Sequence, residues 1–427
     1  METKNKRDFV KSLKQVKVVL GNGFDLCCGL HTKYSDFYCE KWAEYTNLRK
    51  IYKKYVNSTD DLNINDGALK NINIWDLFFA LSGSENPKEN MQNWCDVELL
   101  IKDSLYQSKE ADNINEVIDY LLHSDSPVNW CTTKKIIATK DFRERSAGTF
   151  AAILIEEKMK RLNYRINHFY DFLLQELKEF EKRFGDFIYW QLHYGKIEET
   201  KFGVINSNAT YIEKAKYILN ELCDLESSSI DTFNYSFIED EKIDSKIRHI
   251  NGDFREPIFG VDTIFSPEKE EYVFTKTSRR MEADMNDSFY LEKEDFKHVV
   301  VFGHSLNEAD YSYFFPLFDN LDLSHPVNSR GVVVFAYYVW ENGDEEQIKI
   351  SLRKRITQML YAYSEESGVS NPKRFLDSLS TQGKIILYQI QEFPNSLKYN
   401  KSRLDIEWDD IYKKIKEFED NQKAEAQ

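Results

Sequence analysis

The residues that could do chemistry lie where short apolar runs end. Gly21-Asn22-Gly23 closes the run Val16–Leu20, and Asp25 follows it. Two glycines let a backbone approach a phosphate or ribose with no Cβ in the way, and the turn and next helix offer N–H donors. Asp25 could bind ribose hydroxyls or cap the following turn. Farther on come Asn234 and Tyr235; then His249, Asn251 and Asp253; then Asp262; then His304, Ser305 and Asp310. A histidine titrates near neutrality and suits proton transfer or ligand binding. His304 stands directly after Gly303, and Asp310 is near enough in sequence to orient its ring. No one of these signals is specific. Gly-Asn-Gly is not G-x-G-x-x-G, because Phe24, Asp25 and Leu26 follow Gly23. A tight turn after a core strand accounts for it equally well. His249 alone reads as a satisfied strand-end histidine.

A parallel sheet would bring these residues together. Runs at 16–20, 229–235, 247–251, 298–303, 331–338 and 384–390 predict strands that are almost wholly apolar. They alternate with helical patterns, which argues for an α/β fold with a mostly parallel sheet covered on both faces. In such sheets the ligand sits outside the carboxyl ends of the strands, where these polar residues fall. Strand, glycine turn, short loop and helix, with Thr32 as N-cap, is how a Rossmann-like domain begins. A short strand is expected at 257–262 and a polar flap at 266–295. One long helix is expected from Ile155 to Phe184, with Met159, Leu162, Ile166 and Phe169 opening its apolar stripe. Further helices are expected at 211–222 and 348–363. The expected organisation is a first βα unit at 1–48 and a large, mainly helical insertion at 49–224. The rest of the Rossmann-like domain follows at 225–395, then a charged tail at 396–427 with a helix over 406–418.

Composition narrows the function classes. The net charge of −15 argues against a general nucleic-acid binder. The six cysteines form no C-x-x-C pair and read as free thiols of a cytoplasmic protein. The opening residues lack the apolar core of a secretory signal, and no apolar run approaches the ~18 residues of a membrane span.

The stretch Gly21-Asn22-Gly23-Phe24-Asp25-Leu26, followed by His31-Thr32-Lys33-Tyr34-Ser35-Asp36-Phe37, resembles the opening of the AbiH-type bacteriophage abortive-infection proteins. Trp94 to Glu98, Phe233-Asn234-Tyr235, His249 to Gly252, Phe259 to Asp262, and Val301 to Leu306 with Asp310 resemble later blocks in the same order. The resemblance implies a fold distantly like the sirtuin-like NAD-binding fold. There a glycine turn, an Asn after a strand and a His-Gly pair build a site that cleaves the nicotinamide–ribose bond. It thus implies catalytic roles for Asn234, His249 and His304. It implies ligand-binding roles for Gly21, Asn22, Gly23, Asp25, Asp262, Ser305 and Asp310. One departure stands out: Asn251, not histidine, precedes Gly252. Residues i and i+2 of a strand share a face, so His249 could reach the same side.

Two function classes follow. One is an effector that binds NAD or a related nucleotide and hydrolyses its N-glycosidic bond, with Asn234 holding ribose or water and His249 or His304 as base. The other is a non-catalytic nucleotide sensor or interaction module answering a phage-derived trigger. A metal-dependent nuclease using Asp25, Asp96 and Glu98 is a third reading, with no ligand spacing in its support. The oligomeric state is open. Gly23→Val is expected to abolish ligand binding at an unchanged melting temperature.

Overall fold

The computed structural model describes residues 3–57, 72–82, 98, 101, 147–165, 168–194, 198–200, 203–205, 207–261, 270–282, 296–329, 331–340, 343–394 and 397. The chain divides into two compact units. Residues 1–32, 185–258 and 279–398 make one; residues 33–184 and 259–278 lie in the other.

The first unit is built on six strands: β1 (Val16–Leu20), β4 (Ser229–Thr232), β5 (Ile247–His249), β6 (His298–Phe302), β7 (Val333–Tyr337) and β8 (Ile385–Gln389). Their spatial order is β5-β4-β1-β6-β7-β8, and every pairing is parallel. Counted within this sheet, that order is 3-2-1-4-5-6, the Rossmann order, with its switch point between β1 and β6. The α/β parallel-sheet expectation therefore holds. A separate antiparallel hairpin, β2 (Glu198–Thr200) with β3 (Gly203–Ile205), was not foreseen.

β1 and β6 pair along their whole length, Val16 with His298 through Leu20 with Phe302. Side chains alternate across the sheet, so Val19, Val301 and Phe335 share one face while Leu20, Phe302 and Ala336 share the other. The first face packs on the helices Tyr311–Asn320, Glu345–Glu366 and Pro372–Thr381 through Phe314, Phe318, Ile356, Met359 and Phe375. On the second face lie the helices Thr3–Ser12, Gly23–Cys28 and Ser207–Leu222. Glu221 ties three parts there: it accepts from Arg7, from Lys11 at 2.8 Å and from the Tyr388 hydroxyl at 3.2 Å. Lys17 does not merely interrupt an apolar strand. It is buried and reaches Asp231 at 3.4 Å, while Arg248 and the Tyr313 hydroxyl donate to the same carboxylate. Asp231 thus compensates the buried Lys17, which would otherwise be costly to desolvate, and the half-buried Arg248.

The second unit is mainly helical among its described residues. Its rings interlock: Tyr34 contacts Phe79 at 5.0 Å, and Phe79 stacks on Phe180 at 5.2 Å. Glu176 accepts from the Ile74 amide at 3.0 Å and from Lys158. Asp76 accepts from the Tyr45 hydroxyl at 3.0 Å and from Arg183.

Several boundaries differ from the sequence reading. The expected rod from Ile155 to Phe184 is two helices, Ala147–Arg161 and Phe169–Tyr194. Asn163 adopts φ 61°, and the Tyr164 amide donates to the Met159 carbonyl at 2.8 Å, a Schellman stop that the apolar stripe did not reveal. Leu162 is consequently exposed. The strand expected at 257–262 is absent from the described part, where Val261 makes a lone bridge to Thr275. Thr32 does not cap the next helix; its hydroxyl donates to Asn22 Oδ1 at 2.6 Å. Residues 3–12 form a helix rather than a loose lead-in, and Pro372–Thr381 is an additional helix. The tail helix expected at 406–418 lies outside the described residues, as does most of the flap at 266–295.

Candidate functional site

The switch point is closed by backbone. The Gly21 amide donates to the Phe302 carbonyl at 3.0 Å, the Gly23 amide to the Gly303 carbonyl at 2.8 Å, and the Phe24 amide to the Gly21 carbonyl at 2.9 Å. A Cβ on Gly23 would lie 2.8 Å from the Gly303 Cα. Gly303 itself has φ +72°, and a Cβ there would lie 2.4 Å from the Phe24 nitrogen. The glycines are therefore needed because two loops meet main chain to main chain. Three of the N–H groups expected to face a ligand already have carbonyl partners within the protein.

Just beyond this junction Asp25 is wholly buried. Its Oδ1 accepts from Asn234 Nδ2 at 3.2 Å and from the Tyr211 hydroxyl at 3.2 Å. The Ser236 hydroxyl lies 2.8 Å from Oδ1 and 2.7 Å from Oδ2, and 3.2 Å from the Tyr211 hydroxyl. Every one of those donors is neutral. Burial pushes the Asp25 carboxyl up to about 6, against the opposing pull of these hydrogen bonds. Asn234 is buried too, and its Oδ1 has no hydrogen-bond partner among the described residues. The β1 exit thus supplies the carboxyl, the β4 exit the amide and Ser236, and the Ser207–Leu222 helix the tyrosine.

His249, the last residue of β5, joins the group through the main chain. Its Nδ1 is 3.1 Å from the Asn234 carbonyl oxygen, so Nδ1 carries the proton and Nε2 keeps its lone pair. Burial lowers its pKa, which keeps the ring neutral at pH 7. Asn251, which precedes Gly252, accepts from Arg280 at 2.8 Å, and Arg280 also donates to the Ile250 carbonyl at 3.1 Å.

His304 goes elsewhere. Its ring makes edge contacts with Phe233 at 4.5 Å and Phe314 at 5.0 Å, in the aromatic cluster on the Val19 face. The Leu306 amide donates to its Nδ1 at 2.9 Å, and Nε2 points to Asp310 at 3.7 Å. Its side chain therefore does not join the Asp25–Asn234 group, contrary to the expected shared pocket. The residue follows a strand as foreseen, but the turn from Gly303 to Leu306 rolls the ring onto the opposite face. Asp310 accompanies it, and Ser305 is exposed, its carbonyl accepting from Arg355 at 3.2 Å. Asn22 stays at the junction, bound to Thr32. Asp262 lies outside the described residues.

A family model described as "Bacteriophage abortive infection AbiH" matches residues 18–328. The chain belongs to the AbiH family. Comparison with curated proteins and with solved structures returned no match. The AbiH stretch contains the end of β1 and all of β4, β5 and β6, and with them Asp25, Tyr211, Asn234, Ser236, His249 and His304. Its description connects this AbiH chain with abortive infection by bacteriophage.

Three members of the site were not legible beforehand. Tyr211 looked like the first core residue of a helix, Ser236 like the end of a strand, and Arg280 like part of a charged flap. Only Ser236 gave a signal, standing two residues after Asn234 at the same strand exit. Among the described residues no group of three or more His, Cys, Asp or Glu is arranged to hold a metal. Among them, too, no helix is long and apolar enough to cross a membrane.

Proposed function

We propose that this AbiH chain is an abortive-infection effector that binds NAD or a related nucleotide at the exits of β1 and β4 and hydrolyses its N-glycosidic bond. The observation that carries this reading is the Asn234 amide oxygen. It is buried and unpartnered among the described residues, and it lies next to the switch point, where open parallel sheets take nucleotides. Such an acceptor suits a ribose hydroxyl or a water. His249 supplies a neutral Nε2 held by its own hydrogen bond, the arrangement a general base requires. Water would give its proton to that nitrogen and its oxygen to the ribose C1′. The C1′–N bond electrons would leave with nicotinamide, yielding ADP-ribose and a proton. His304, with Nδ1 engaged, would hold the β6 exit loop rather than touch the reacting atoms.

A second reading, a nucleotide sensor without turnover, draws on Asn251. It occupies the position before Gly252 and cannot act as a base. Incubating the purified protein with NAD and following nicotinamide release separates the two. Release by the wild type, lost in His249→Ala and Asn234→Ala at unchanged folding, supports the enzyme. Binding without release supports the sensor, and no interaction with NAD or with a panel of related nucleotides rejects both.

A further inference from the structure

The cluster under Asn234 has a direction built into it. An asparagine amide can present either its oxygen or its nitrogen, and in this site the neighbour decides which. Asp25 Oδ1 lies 3.2 Å from Asn234 Nδ2. The reversed amide would set a carbonyl oxygen against a carboxylate oxygen, two acceptors with no proton between them. We infer that Asp25 is a positioning residue that fixes the Asn234 amide with Oδ1 toward the ligand, so that the group bound there is a hydrogen-bond donor. The inference rests on the proposed nucleotide site for the ligand's identity alone. A ribose hydroxyl and a water share that donor chemistry.

Tyr211 and Ser236 hold the carboxylate in turn, and each removes an alternative. With the Tyr211 hydroxyl and the Ser236 hydroxyl both donating to Asp25, the carboxylate cannot rotate away from Asn234 without losing hydrogen bonds. The arrangement depends on Asp25 being ionised. A protonated Asp25 becomes a donor, the two hydroxyls are free to reorient, and Asn234 loses its reason to keep one orientation. Tyr211 and Cys28 are the titratable groups bearing on this equilibrium, the thiol on the helix that carries Asp25 and the phenol on the Ser207–Leu222 helix. Lys214 of the latter helix acts on Cys27 and Cys28, and His249 meets Asn234 only at its carbonyl. Both thiols and the phenol are pushed upward by burial, away from the Asp25 value of about 6; His249, whose pKa burial lowers, is separated from Asp25 by following the same signal in His249→Ala.

The experiment reads the amide and the ligand separately. In the full chain labelled with 15N-asparagine, the Asn234 side-chain signal is assigned by its loss in Asn234→Asp and followed against pH. It should shift with one midpoint near 6 in the wild type. The midpoint should move upward in Tyr211→Phe, which removes a donor to the carboxylate, and be absent in Asp25→Asn. NAD affinity, measured by calorimetry, should fall about three- to tenfold through the same midpoint, the worth of one hydrogen bond. NAD lacking the ribose hydroxyls should bind more weakly if the donor is ribose, and equally well if it is water. A pH-independent Asn234 signal, or a Tyr211→Phe midpoint equal to wild type, overturns the inference whether or not NAD binds. The reverse case, the expected amide titration with no affinity for NAD, keeps the positioning role and rejects the nucleotide reading. Should Asp25→Asn fail to fold, Tyr211→Phe and Ser236→Ala carry the same test.

Discussion

At the scale of the residue, Asp25 is the most consequential group in this AbiH chain. A buried carboxyl with only neutral donors is a liability to stability as well as an organiser. Its folded pKa of about 6 lies above the ordinary 3.8, so its stabilising contribution is complete below about pH 4 and is lost as pH rises through about 6. Relative to Asp25→Asn, the wild type should therefore lose about 3 kcal/mol between about pH 4 and pH 7 and nothing further above. Urea denaturation of both proteins across that range measures the difference directly. A difference independent of pH would show that Asp25 does not titrate there. His249 and His304 show how similar residues part company. One ends and the other follows a strand of the same sheet, yet one ring is fixed beside Asn234 and the other packs between Phe233 and Phe314. Strand-exit position was legible in the sequence, but the face was not, because a left-handed Gly303 and a left-handed Leu306 reorient the loop locally.

Among the elements, the junction of the β1 and β6 exits decides what the glycine turn is for. The sequence suggested a backbone bared for a ligand. The structure gives the Cβ directions of Gly21 and Gly23 to the facing loop instead. Gly23→Val should therefore destabilise the protein by at least about 2 kcal/mol, as overpacking against a fixed backbone does. The expectation of an unchanged melting temperature is withdrawn on that ground. Thermal denaturation of the unliganded variant checks it, and a wild-type melting temperature would return the turn to the ligand. The helix order was only partly legible for a similar reason. An apolar stripe reports which side is buried, not where the chain stops, and the stop at Asn163 rests on one left-handed residue.

For the molecule as a whole, charge and thiols speak to its surroundings. Cys27, Cys28 and Cys223 are free and buried. Burial raises the Cys27 thiol to about 12 and the Cys223 thiol to about 11, far from the thiolate range at neutral pH. All three should resist a thiol reagent in the native protein at pH 8 and react once it is unfolded, as a time course with and without denaturant would record. Rapid reaction of any of them in the native state would mean that the Gly23–Cys28 or Ser207–Leu222 region opens readily. The surplus of acidic over basic residues, 72 against 57, sets up a long-range field that opposes a polyanion.

The sequence by itself determined the parallel sheet, since strands buried on both faces must be apolar along their length, and Val16–Leu20, His298–Phe302 and Val333–Tyr337 are nearly so. It also determined the family, through blocks such as Gly21 to Leu26. Only the tertiary structure decided which polar residues meet. Asp25, Tyr211, Asn234 and Ser236 come from three segments, and their hydrogen bonds exist because a helix laid over one face lowers Tyr211 onto a carboxyl that left β1. The same holds for Lys17, Asp231, Arg248 and Tyr313, a charge network that no local pattern announces. Periodicity is a property of neighbours along the chain. Hydrogen-bond partners and buried charges are chosen by neighbours in space, and that choice is made only when strand order and helix placement are fixed.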